Sequence, residues 1–191
     1  MSAATPIATR ACTLTIALAA LAPAGAHAAR TPLNVQTENL QGQSSAATIA
    51  AETPDVVALQ GVGDLATLLG DLGDRGLSYL VGSATAGGEV ILVANRDGLT
   101  FAPAGQGSGW AAIDGDVAGR PFHLVDADMP AEMPPLGDAG SAAIVAGSLD
   151  ASLTTTFQDV SGTGILLTRD MARHARRVHD VDGGVIATVF P

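Results

Sequence analysis

Ala50-Ala51-Glu52-Thr53-Pro54-Asp55-Val56-Val57-Ala58-Leu59-Gln60 is the stretch on which the fold turns. Pro54 breaks a helix here, because its ring removes an N–H and crowds the preceding turn. A helix capped by Ser44 or Ser45 therefore runs to about Glu52. Asp55 to Gln60 follows as a continuous apolar run of strand length, which is how a strand covered on both faces reads. A helix leading straight into a doubly buried strand implies a layered α/β domain.

Outward from this centre the pattern continues. Leu33 to Thr37 alternates in the manner of a strand. Asp64 to Leu72 has helical spacing, with Leu65, Leu68, Leu69 and Leu72 apolar. Leu77–Val81 and Val90–Ala94 read as strands. Trp110–Ile113 leads into Asp114-Gly115, a turn dipeptide, and a strand from Pro121 to Val125. Residues 129–141 are rich in Pro and Gly and read as loop. Ala142–Ala146, Ile165–Leu167 and Val185–Phe190 read as strands, and Arg173–Val181 fits either helix or strand. The reading comes to about nine strands and two clear helices, with α and β alternating first and mainly β afterwards.

The first 28 residues are expected to be a secretory signal peptide. Arg10 supplies the charged start, Ala11 to Leu21 the short apolar region, and Ala26-His27-Ala28 the small-x-small cleavage site. The apolar run is shorter than the ~20 residues of a membrane span. The working domain would then be residues 29–191, delivered to the periplasm or the medium, with no transmembrane segment. Cys12 is the sole cysteine, so the exported part offers no disulfide, thiolate nucleophile or cysteine metal site.

The 191 residues carry a formal charge of −10. Residues 1–28 hold one arginine and no acid, so the exported part stands at −11. No lysine occurs in the chain. Such a surface keeps the domain soluble and repels polyanions. Nonspecific nucleic-acid binding depends on Lys/Arg contacts to phosphate, so nucleic acid is not an expected partner; another protein remains open.

Several constellations carry possible chemistry. Gly61-Val62-Gly63-Asp64-Leu65-Ala66 has the form of a dinucleotide-binding turn, but Gly82-Ser83 stands where the ribose-binding acid belongs. A plain strand-to-helix turn is the better reading. Asp114/Asp116, Asp126/Asp128 and Asp180/Asp182 are i, i+2 acid pairs, each on one face of a strand. Acids at turns and strand ends account for them more simply than cation sites do. Arg169, Arg173, His174, Arg176, Arg177 and His179 form a basic cluster; a solvated face neutralised by Asp170, Asp180 and Asp182 is the plain account. His123 and His179 read as packed or surface histidines, and Trp110 as a core or edge aromatic. Gly-x-Ser-x-Gly is absent, against an α/β-hydrolase elbow.

Four segments, in order, resemble the endonuclease/exonuclease/phosphatase superfamily. They are Leu33-Asn34-Val35-Gln36-Thr37-Glu38-Asn39, the opening stretch with Pro54-Asp55-Val56-Val57-Ala58-Leu59-Gln60, Ile144-Val145-Ala146-Gly147-Ser148-Leu149-Asp150, and Asp182-Gly183-Gly184-Val185-Ile186-Ala187. The resemblance implies a layered α/β sandwich of two mixed β-sheets flanked by helices. It also implies a metal-dependent phosphoesterase mechanism, in which a carboxylate holds Mg²⁺ against phosphate and a His–Asp pair activates water.

The chain departs from that mechanism position by position. Asn39 matches the family's phosphate-orienting Asn. The metal-holding Glu is Gly61, the mid-chain His falls near Asp128, and the Asp and Asn of Gly-Asp-Phe-Asn are Ser148 and Asp150. A later strand Asp corresponds to Gly164. Asp182 is kept, but its His partner is Gly183. The remnant catalytic positions are thus Asn39, Asp150 and Asp182, and a relocated Ca²⁺ or Mg²⁺ site would use Asp128, Asp150 and Asp182. The expectation is an exported domain of this fold without the family's activity. Two alternatives stand beside it: a divergent active phosphodiesterase or phosphatase using Mg²⁺ or another divalent cation, and an acidic exported domain that binds another protein. If the alignment holds, Asn39, Gly61, Asp128, Ser148, Asp150 and Asp182 converge at one mouth of the sandwich.

Overall fold

The computed structural model describes residues 31–43, 45–128, 142–149, 157–158, 163–173, 175, 177–181 and 184–191. The expected signal peptide, Ser44, the 129–141 loop, Asp150, Asp170, His174, Arg176, Asp182 and Gly183 lie wholly or in their side chains outside this set.

Two six-stranded sheets pack face to face. The first contains β1 (Leu33–Asn39), β2 (Val56–Gln60), β3 (Tyr79–Ala84), β4 (Val90–Ala94), β11 (Arg177–Val181) and β12 (Gly184–Val189), in the order β11-β12-β1-β2-β4-β3. The second contains β5 (Leu99–Gly107), β6 (Trp110–Val117), β7 (Arg120–Asp128), β8 (Ala142–Ser148), β9 (Phe157–Gln158) and β10 (Thr163–Leu167), in the order β5-β6-β7-β8-β10-β9. Both sheets are mixed, with β1 parallel to β2 and β7 parallel to β8. The helices are α1 (Ala46–Glu52), α2 (Leu65–Asp74) and the single turn α3 (Arg169–Ala172).

The opening stretch folds as read. Helix α1 ends at Glu52, and Thr53 turns into the left-handed region at φ 46° while its N–H still bonds the Ile49 carbonyl. All five residues of β2 are buried. Val56 and Ala58 join the core between the sheets, whereas Val57 and Leu59 lie with Leu68 and Leu72 of α2 and Ile49 of α1. Two layers of apolar cover explain why this strand shows no alternation. Asp55 fastens the far end: its carboxylate accepts the Asn34 N–H at 2.8 Å and the Arg96 Nε–H at 2.6 Å.

Three expectations need correction. Asp114-Gly115 is not a turn but the middle of β6. Gly115 lies opposite Phe101 on β5 and Phe122 on β7, and a Cβ there would run into the Phe122 ring. The glycine makes room for an aromatic, a pairing that occurs within strands. The hairpin turn is instead Ala118-Gly119, both at positive φ (53° and 82°), as a tight two-residue hairpin requires. Second, β5, β9 and β11 raise the strand count to twelve among the described residues. Strand β5 is an exposed edge strand containing Pro103, with a bulge between Pro103 and Gly105; an edge accommodates both, because a proline there interrupts no inner ladder. Third, residues 173–181, which fit either helix or strand as one element, are not one: α3 ends at Ala172 and β11 begins at Arg177.

Candidate functional site

The parallel pairs β1/β2 and β7/β8 end at the same mouth of the sandwich. Asn39 closes β1, and its Nδ2 donates to the Ser148 Oγ at the end of β8, 2.8 Å away across the two sheets. Ser148 stands opposite Asp128 in the β7/β8 register. Gly61 follows β2 at φ +67°; a Cβ there would lie 3.1 Å from the Gln41 nitrogen and 3.6 Å from Asn39 Oδ1. Asn39, Gly61, Asp128 and Ser148 are therefore brought together. Asp150 and Asp182 lie outside the described residues. The neighbouring Gly184 packs against the Thr37 carbonyl and the Glu38 side chain.

Below the mouth lies a polar layer that sequence reading missed. Asp126 has no exposed surface. Its carboxylate accepts from Gln60 Nε2 at 2.5 Å and from the Val90 N–H at 3.0 Å, so it ties β7 to β2 and β4. Gln60 Nε2 also donates to Thr37 Oγ1 at 3.2 Å. Burial pushes the Asp126 pKa well above the ordinary carboxylate value, the nearby Glu89 and Asp128 add to the rise, and the two hydrogen bonds oppose it. On the outer face of the first sheet, Ser45 Oγ and Gln36 Nε2 both donate to the buried Glu38 carboxylate. Ser45 thus occupies the N-cap position of α1 but makes no side-chain cap bond. The one available signal for this layer was Asp126-x-Asp128 beside an apolar strand, and it does not name Gln60, 66 residues away.

The described residues do not fit a divalent ion of the family's kind. Among them no three His, Asp or Glu side chains are grouped to hold one. Gly61 offers no carboxylate, and the Asn39 amide is spent on Ser148. Gly147, at φ +129°, would drive a Cβ into the Ala127 carbonyl, so the glycine before Ser148 serves strand packing.

The remaining constellations resolve into structure. The Val62 N–H is taken by the Gly88 carbonyl at 3.0 Å. The N-terminus of α2 is capped by Asp64, which accepts the Thr67 N–H at 3.0 Å; that bond, with a second from the Thr67 hydroxyl, lowers the Asp64 pKa. A dinucleotide pyrophosphate would need these amides. Asp114 pairs with the buried His123 at 2.7 Å, and Asp116 accepts the Gly119 N–H at 2.7 Å. His179 pairs with Glu52 at 3.1 Å, beside a small cleft lined by Asn34, Ile186 and Thr188. Trp110 is half-buried and lies over Gly105 and Gly107.

Two mixed sheets with crossed order, helices outside the first sheet, and a mouth at the ends of β1, β2, β7 and β8 define the endonuclease/exonuclease/phosphatase fold. Solved structures of that fold match the chain over most of its length. It is similar to the endonuclease domain of TRAS1, a telomere-specific non-LTR retrotransposon, at 14% identity and TM-score 0.59, covering 84% of this chain and 99% of that one. It is similar to TDP2 from Caenorhabditis elegans at 12% identity and TM-score 0.56, covering 84% and 75%. It is similar to an endonuclease/exonuclease/phosphatase family protein from Bacteroides thetaiotaomicron at 12% identity and TM-score 0.52, covering 84% and 97%. At such identities the likeness establishes the fold. No protein-family profile and no curated protein matches the sequence.

Proposed function

We propose that the chain is an exported domain of endonuclease/exonuclease/phosphatase fold that binds rather than turns over. The observation that carries this reading is the Asn39–Ser148 hydrogen bond of 2.8 Å. The amide that would orient a phosphate is committed to a neutral hydroxyl standing where the fold family has a carboxylate. With Gly61 in place of the metal-holding Glu, that position has no side chain to hold the cation that would neutralise a phosphoryl transition state. Asp150 and Asp182 remain as the remnant acidic positions.

The test is direct. The full chain is incubated with an activated phosphodiester and an activated phosphomonoester in Mg²⁺, Mn²⁺ or Ca²⁺. No turnover with any ion is the expected result. Turnover that disappears in Asp182→Ala overturns the reading in favour of a divergent metal-dependent phosphoesterase, and calorimetric binding of Mg²⁺ or Ca²⁺ lost in Asp128→Ala supports the relocated ion site. Export is tested separately, by N-terminal sequencing of protein recovered from an exporting host. A start at Ala29 is expected; retention of Met1 on a cell-internal product refutes it.

A further inference from the structure

The two sheets have four edges, and they are not equally guarded. Natural sheets protect their edges with very short strands, charged side chains, proline or bulges, because an edge presents unpaired backbone groups to any other strand. Strand β9 is two residues long. Strand β11 contains Arg177, His179 and Asp180 within five residues. Strand β5 carries Pro103 and a bulge beside Gly105. Strand β3, Tyr79-Leu80-Val81-Gly82-Ser83-Ala84, has neither charge nor proline, and its register shift falls at Gly82, after the regular stretch Tyr79–Val81.

That stretch is also where apolar side chains stand in solvent. Leu80 and Val81 are the exposed large hydrophobics among the described residues, at 46% and 40%. The two segments that carry β3 and β5 hold no charge of their own: residues 76–88 and 98–113 contain no Asp, Glu, Arg or His. Strand β5, from the second of these segments, flanks β3 on the same side of the sandwich.

We propose that β3 is the contact through which a second copy of this chain docks, pairing antiparallel with its own β3 about a two-fold axis near Leu80. The argument for a second copy is electrostatic. Each chain carries a formal charge of −10, and like-charged surfaces repel on approach. Two copies approach with least repulsion where the facing strands carry no carboxylate, and β3 and its neighbour β5 carry none. A two-fold contact sets the same patch against itself. Leu80 then faces Leu80 of the other copy, and the first sheet runs on across both molecules.

The proposal is tested by sedimentation velocity on the full chain from micromolar to millimolar concentration. A mass of twice the chain at the upper end is expected, with Leu80→Lys and Val81→Lys each returning it to the single-chain mass. Ala51→Lys, on the exposed face of α1, changes the charge equally and is expected to leave the dimer intact. Salt is expected to strengthen association, because it screens the repulsion between copies. Thermal melts identify any variant that fails to fold; both side chains are nearly half exposed, so melting within a few degrees of the parent is expected. Amide hydrogen exchange gives an independent readout: protection of Tyr79–Val81 should rise with protein concentration. A single-chain mass throughout overturns the proposal. So does a dimer unaffected by Leu80→Lys, or one whose formation leaves β3 exchange unchanged.

Discussion

Replacing Asp126 by asparagine should remove a specific slope from the pH dependence of stability. Asp126 is fully buried and takes two hydrogen bonds, from Gln60 Nε2 and the Val90 N–H. Its pKa is raised by burial first and by Glu89 and Asp128 in addition. In the unfolded chain the same carboxyl titrates near about 3.9. Above that pH the unfolded chain releases a proton that the folded chain keeps. Stability therefore falls with rising pH, by up to about 1.4 kcal/mol per pH unit for one proton, until the folded group also titrates. The contribution is fully present below the unfolded value and is lost upward through the window. Asparagine binds no proton, so its curve lacks this term. At about pH 4 the variant should be less stable by roughly 1–3 kcal/mol, because its –NH2 sets a donor against a donor where the hydroxyl oxygen of the neutral acid can still accept. Turning the Gln60 amide lets the asparagine Nδ2 donate to Gln60 Oε1, which has no partner among the described residues, and would reduce the loss. The assay is urea unfolding of both proteins at steps of pH. The difference curve should narrow, and can invert, as pH rises from about 4. Parallel curves would refute the reasoning, since every carboxylate not coupled to Asp126 cancels in the comparison.

Other predictions follow from single contacts. Gly147→Ala places a Cβ against the Ala127 carbonyl at a φ of +129° and should cost more than about 3 kcal/mol, read as a lowered urea midpoint. Ile113→Ala empties a fully buried position between the sheets and should cost about 2–5 kcal/mol, which in a domain of this size lowers the Tm by roughly 5–15 °C. A double-mutant cycle on Asn39→Ala and Ser148→Ala should return a coupling of about 0.5–1.5 kcal/mol for their one hydrogen bond; a coupling near zero would break the link across the mouth on which the proposed function rests.

The fold was legible where burial alone decides conformation. The apolar run at Val56–Gln60, the break at Pro54 and the leucine spacing of α2 each have one physical solution. Legibility failed where a residue's role depends on a distant neighbour. Gly115 looks like a turn glycine until Phe122 is known to lie beside it. Strand β5 has a composition of loop because it is an exposed edge, where pairing on one side suffices. The same division runs through the site. Asn39 and Ser148 could be placed together by the order of four segments, whereas the Gln60–Asp126 bond could not, because only the packing of one sheet on the other brings them into contact.

That division bears on whether the mouth could be given a metal site. The backbone at Gly61 is not a neutral host for a glutamate. Its φ is +67°, its carbonyl accepts the Gly42 N–H at 2.9 Å, and a Cβ would press to 3.1 Å on the Gln41 nitrogen. An L-residue in that conformation costs about 1–2 kcal/mol before any clash. A new carboxylate would also enter beside the Asn39 carbonyl oxygen and above the buried acids Asp126 and Glu89, where like charges raise the cost of ionisation. Ser148 differs. An aspartate there would still accept from Asn39 Nδ2, and the bond would gain from its charge. Gly61→Glu should therefore melt well below the parent, with no rise on adding Mg²⁺, whereas Ser148→Asp, which sets that gain against the Asp128 carboxylate opposite it, should fall less far. Equal melting of the two variants would show that the β1–α1 turn yields freely to a side chain. If the difference is found, the backbone of the mouth as well as its side chains stands against a carboxylate at Gly61, and adding one ligand cannot build a metal site until the Gln41-Gly42 turn moves away.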